Sequence, residues 1–97
     1  MTLFPIGQLL ISVGVTKLIS TEEIAQYLSR HTNGDWGNID PEVGEENNVV
    51  AQQKHGTILS SYTLAKQGQE IWLHTDFESN ATTVLLPNEY CAIGSDE

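Results

Sequence analysis

Arg30, His31, Asp35 and Trp36 place a guanidinium, an imidazole, a carboxylate and an indole in one short stretch, Arg30-His31-Thr32-Asn33-Gly34-Asp35-Trp36-Gly37. In such a mixture His31 is the natural acid or base, and Asp35 is the group to orient it. Arg30 and Trp36 complete a candidate loop for a partner or ligand. A structural reading uses the same residues differently. Arg30 and His31 would end a helix, where positive charge complements the backbone dipole. Gly34 would cap it, Asp35 would turn the chain through its side chain, and Trp36 would plug the core. Both readings stand at this level, and no residue is assigned a catalytic role.

A second group lies further on. Trp72, His74 and Asp76 alternate with Ile71, Leu73 and Thr75, so a strand here would show an aromatic, polar face on one side. With Tyr62 or its neighbours, that face reads as a platform for a dimer or another partner. His74 and Asp76, joined by His31 or His55, have the donor types of a two-histidine, one-carboxylate metal site. No His-x-x-x-His pair supports one, so no metal or cofactor is expected. The hydroxyls Ser60, Ser61, Thr63, Thr75, Thr82 and Thr83 sit in no nucleophile pattern and read as solvent-side strand residues. Cys91 is the single cysteine, with no adjacent basic group, and reads as an idle or buried thiol. Gly34-Asp35-Trp36-Gly37 follows no strand and lacks dinucleotide-binding spacing.

Charge narrows the partners. Thirteen carboxylates face four basic side chains, Lys17, Arg30, Lys54 and Lys66, for a formal charge of −9. That field disfavours nucleic acid and anionic membranes and favours basic partners. Leu3 to Val15 is the most apolar stretch, but Pro5, Gly7, Gln8, Ser12 and Gly14 interrupt it. It is too short to span a bilayer and lacks a basic leader, so a cytoplasmic protein is expected.

The elements that must position these groups read clearly in places. Gln8 to Val13 reads as a strand with Leu9, Leu10, Ile11 and Val13 mostly buried, central in a sheet or under helices. Val15 to Leu18 suits a short helical turn. Ser20-Thr21-Glu22-Glu23 is a capping box, with Ile19 and Ile24 at the staple positions. Ile24, Tyr27, Leu28 and His31 then share one helical face. Asp40-Pro41 opens a second helix with a thin apolar face of Val43, Val50 and Ala51, Asn47 between them, and Gly56 as its stop. Thr57 to Leu64, Glu70 to Asp76 and Ala81 to Leu86 read as strands, the first two joined by a loop at Ala65-Lys66-Gln67-Gly68-Gln69. Pro87 ends the last. The fold class is α+β in one domain over residues 1–97: a strand, two helices and a three-stranded antiparallel meander, with helices packed on one face of the sheet.

Several motifs together resemble a family of short, uncharacterised bacterial proteins described as plasmid-related. They are Phe4-Pro5-Ile6-Gly7-Gln8, Arg30-His31 with Gly34-Asp35-Trp36-Gly37, Asn47-Asn48, Ile58-Leu59-Ser60-Ser61-Tyr62, Ile71-Trp72, and Ala81-Thr82-Thr83-Val84-Leu85-Leu86-Pro87-Asn88-Glu89-Tyr90. The resemblance runs from Phe4 to Tyr90. It implies a setting on mobile DNA, such as plasmids, integrative elements or gene cassettes, and no substrate or cofactor. The family carries an arginine before its last strand; Asp76-Phe77-Glu78-Ser79-Asn80 has none here. The expectation is a small acidic accessory protein that is not an enzyme and acts by binding a protein, for example by inhibiting a nucleic-acid-binding or defence protein of the host. Self-association into a homo-oligomer is the related expectation. The alternative is a small-ligand binder or enzyme that uses the Arg30–Trp36 loop with His74.

Overall fold

A computed structural model describes residues 2–94, with side chains to residue 90. The chain is α+β, with four helices and a mixed four-stranded sheet among the described residues. Its elements run β1 (Gln8–Ile11), α1 (Val13–Thr16), α2 (Thr21–Thr32), α3 (Pro41–Gln53), β2 (Thr57–Thr63), β3 (Glu70–Asp76), β4 (Ala81–Leu85) and α4 (Pro87–Gly94). The strand order is β1-β4-β3-β2. β2, β3 and β4 form the antiparallel meander, and β1 joins it parallel to β4 with Leu9 opposite Thr82.

Local chemistry sets the helix ends. The Ser20 hydroxyl accepts the Glu23 N–H at 3.2 Å, and the Glu23 carboxylate accepts the Ser20 N–H at 3.1 Å. Ile19 and Ile24 are both buried beside this box. At the other end of α2, Gly34 takes the left-handed conformation (φ +87°). Gly34 N–H donates to the His31 carbonyl and Asp35 N–H to the Arg30 carbonyl, the paired bonds of a Schellman cap. α3 starts at Pro41 as expected but turns left-handed already at Lys54 (φ 56°), ahead of Gly56. Pro87 does more than end β4. It is the first residue of α4, and Glu89 accepts the Leu86 N–H at 2.7 Å.

Period-two alternation divides the sheet. Ile58, Ser60 and Tyr62 of β2, Ile71, Leu73 and Thr75 of β3, and Thr82 and Val84 of β4 are buried on one side. There they meet Ile24, Tyr27, Leu28 and His31 of α2. α3 runs beside β2, where Asn47 bonds its outer edge and Ala51 packs with Ile58. α4 takes the opposite face, with the Tyr90 ring edge-on to Trp72 and His74.

β1 corrects the expectation of a central, buried strand. It is an edge strand, and Leu9, Leu10 and Val13 are 37, 45 and 69% exposed. A continuous apolar run suits burial on both faces, yet here the chain turns into α1 after four paired residues.

The far edge is closed. Leu59 and Ser61 point their backbone groups away from β3. Asn47 Nδ2 donates to the Leu59 carbonyl at 2.7 Å, and Asn47 Oδ1 accepts the Leu59 N–H at 3.4 Å. Two residues along, Ser61 N–H donates to the Trp36 carbonyl and Asn38 N–H to the Ser61 carbonyl. Gly37 therefore pairs with β2 like one residue of a fifth strand. Its φ is +73°, and a β-carbon there would collide with the Ser61 carbonyl. Gly68 has a similar φ of +68° but open space around it. We expect Gly37→Ala to lower stability by about 3 kcal/mol or more and Gly68→Ala by about 1 kcal/mol. Urea midpoints of the two variants read the difference; equal midpoints would show that the loop does not seal β2.

Candidate functional site

The Arg30–Gly37 stretch splits between interior and surface. His31 is fully buried, Trp36 is 8% exposed, and the Arg30 and Asp35 side chains remain about half exposed. Arg30 Nε donates to Asp35 Oδ2 at 2.7 Å, with the guanidinium 4.6 Å from the Tyr62 ring centre. That hydrogen bond holds the Asp35 carboxyl below its ordinary range and raises the guanidinium in turn. Water screens so exposed a pair, and it contributes about 0.5 kcal/mol. Asp35 also accepts the Gly37 N–H, and its backbone carbonyl accepts the Tyr62 hydroxyl at 2.7 Å. Burial pushes the Tyr62 hydroxyl up to about 12. The Trp36 indole donates to Asn48 at 3.1 Å and packs against Phe4 and His31.

His31 stands at the head of a buried chain of hydroxyls. Its Nδ1 is 2.6 Å from Ser60 Oγ and its Nε2 is 2.8 Å from Thr75 Oγ1. Thr75 Oγ1 is 2.8 Å from Thr82 Oγ1, which lies 2.8 Å from the Ile6 carbonyl. The far end fixes the donors as far as Nε2. A carbonyl only accepts, so Thr82 donates its one hydrogen to Ile6. Thr82 must then accept from Thr75, and Thr75 must accept from His31. Nε2 therefore carries a proton. Burial, with a smaller push from His74, lowers the ring's pKa to about 3, so it is neutral near pH 7. With its single proton on Nε2, Nδ1 accepts from Ser60.

This corrects the reading of the hydroxyls as solvent-side residues. Ser60, Ser61, Thr75 and Thr82 are at most 3% exposed. The period-two pattern that pairs Thr75 with Ile71 and Leu73 carried the signal, because the face of a strand outranks the polarity of one residue. Tyr62 also leaves the proposed platform, since it lies opposite Ile71 on the α2 side. Trp72 and His74 do share the other face, half-buried, and burial lowers the His74 pKa. His31 and His74 thus lie on opposite sides of the sheet, so among the described residues His31, Asp35 and His74 do not face one pocket. Among the described residues, no three His, Cys, Asp or Glu side chains converge on a metal position, and no helix is long and apolar enough to cross a membrane. The reading of Cys91 falls outside the described side chains. The chain matches no protein-family model, no curated protein and no solved structure.

The neutral His31 makes stability depend on pH. Its folded pKa lies below the unfolded 6.5, so below that pH the unfolded chain takes a proton that the folded chain refuses. Stability is full above pH 6.5 and falls as pH drops toward 3. Between pH 7 and pH 5 we expect a loss of about 2 kcal/mol from His31, with a smaller loss of the same sign from His74. Denaturant titrations of the protein and of His31→Gln measure it. An equal pH slope in both would contradict a buried neutral ring.

Proposed function

We propose that this chain is a non-enzymatic accessory protein of mobile DNA that binds a basic protein, such as a nucleic-acid-binding protein of the host, through the Trp72–His74 side of its sheet. One observation carries the reading. His31 and Trp36 of the Arg30–Trp36 loop are used inside the fold and Arg30 and Asp35 pair with each other, whereas Trp72 and His74 stay half-exposed, with the carboxylates of Asp40 and Glu70 near Trp72. Charge adds to it, since a chain at −9 attracts basic surfaces and repels phosphate backbones. The enzyme or ligand-binding alternative loses support, because His31 and Trp36 are buried and hydrogen-bonded.

Affinity capture followed by titration of the recovered protein tests this. Binding should weaken about tenfold or more between 50 and 300 mM salt. It should weaken in Trp72→Ala and persist in Asp35→Asn, which keeps the turn-forming oxygen. Salt-independent binding, or loss in Asp35→Asn with Trp72→Ala unaffected, would overturn the assignment.

A second reading has its own observation. β1 leaves one edge unpaired among the described strands, and Leu9, Leu10 and Val13 are exposed along it. Edge strands of this kind add a strand from a second copy. Light scattering at high micromolar concentration should then give a dimer mass that Leu10→Lys returns to a monomer. A monomer throughout removes this reading.

A further inference from the structure

The Trp72 side of the sheet holds a cavity of about 220 Å³ between β2, β3 and the start of α3, lined chiefly by Ile39, Asp40, Val43, Ser61, Glu70 and Trp72. Ser61 is 3% exposed, and its Oγ is the one buried side-chain N or O atom among the described residues with no hydrogen-bond partner. Ser61 stands directly opposite Trp72, so its hydroxyl shares the face on which the cavity opens. Buried hydroxyls are almost always satisfied, and an unpaired one marks a place for a missing partner.

The charged lining is wholly accepting, from the carboxylates of Asp40 and Glu70. Asp40 makes no capping bond to α3, which leaves its carboxylate available. Asn38, also at the cavity, donates one of its two side-chain N–H groups to Thr63 and keeps its carbonyl oxygen. Glu70 and Ser61 Oγ complete the set. No Lys, Arg or His lines the space. The α3 N-terminus contributes about half a positive charge, against two full negative ones from Asp40 and Glu70. The occupant must therefore be a donor and a cation. The volume lies below the 300 Å³ or so at which small-molecule sites begin, and suits one side chain. An indole wall favours a planar cation that can stack.

From these features we infer that the cavity receives an arginine side chain presented by a basic protein, with the guanidinium between Asp40 and Glu70 and an N–H on Ser61 Oγ. This rests on the proposal that the chain binds basic proteins, and it names the feature recognised.

Amide and indole NMR shifts of the wild-type chain test it, using a capped Gly-Arg-Gly tripeptide, its lysine and citrulline counterparts, free guanidinium, and a peptide with several arginines. The arginine tripeptide should move the Trp72 indole and the Ser61 and Val43 amides, with a Kd of about 1 mM. Lysine should bind several-fold more weakly, and citrulline, which keeps the shape and loses the charge, should not bind. Glu70→Gln should weaken the arginine tripeptide about fivefold. If the arginine-rich peptide binds but shifts map away from Trp72, the cavity assignment fails and the basic-partner reading survives. If neither peptide binds, both fail. Equal binding of free guanidinium and the tripeptide would overturn the protein-presented arginine in favour of a small cation.

Discussion

A single carbonyl oxygen, that of Ile6, orders the protons through the middle of this protein. Its bond from Thr82 sets the direction of the next bond from Thr75 and then of the bond from His31 Nε2, and the low pKa of the buried ring leaves Nδ1 to accept from Ser60. The chain ties the N-terminal segment to β4, β3, α2 and β2 in turn. It also lies between two apolar clusters, one under α2 and one around Phe4, Trp36, Ala51 and Ile58. Polar atoms buried in such a place stabilise the fold only when every one is satisfied. A neutral imidazole meets that condition, and an imidazolium would bring charge with no carboxylate among the groups it touches. The residue that looks most catalytic in the sequence therefore acts as a core hydrogen-bond junction.

The rest of the Arg30–Gly37 loop follows from the same anchoring. With His31 fixed in the core, the Schellman cap at Gly34 swings the chain so that Trp36 closes the second cluster. Gly37 can then reach the backbone of β2. Asn47 completes the closure from α3, which explains a buried amide on an otherwise thin apolar helix face. One edge of the sheet is sealed by these contacts while the other, at β1, stays open. Partly exposed aromatic and apolar side chains are left on the Trp72 face and at β1.

Much of the framework was legible in residues with short-range consequences. Ser20 and Glu23 mark the start of α2, Gly34 its end and Pro41 the start of α3, because each acts within a few residues of itself. The alternation from Ile71 to Asp76 gave the two faces of β3. Legibility ended where partners lie far apart in sequence. His31 meets Thr75 across 44 positions and Thr82 meets Ile6 across 76, and no local pattern announces either contact. β1 misled for a related reason, since apolar content alone does not say whether a strand lies at the centre or the edge. In the candidate site, Arg30, Asp35, His31 and Trp36 are neighbours in the chain, but only the fold shows that two point inward and two outward. Trp72 was legible as a surface aromatic; the Ser61 hydroxyl beneath it was not.

His31 is neutral and carries its proton on Nε2. Long-range ¹H–¹⁵N correlation spectra of the imidazole test it most directly. A neutral, buried ring gives one protonated nitrogen, Nε2, and one bare nitrogen, Nδ1, with shifts that do not change between pH 7 and pH 5 while the protein remains folded. Two protonated nitrogens at pH 5, or a titration midpoint near 6.5, would contradict it and return His31 to the list of residues able to exchange protons with solvent.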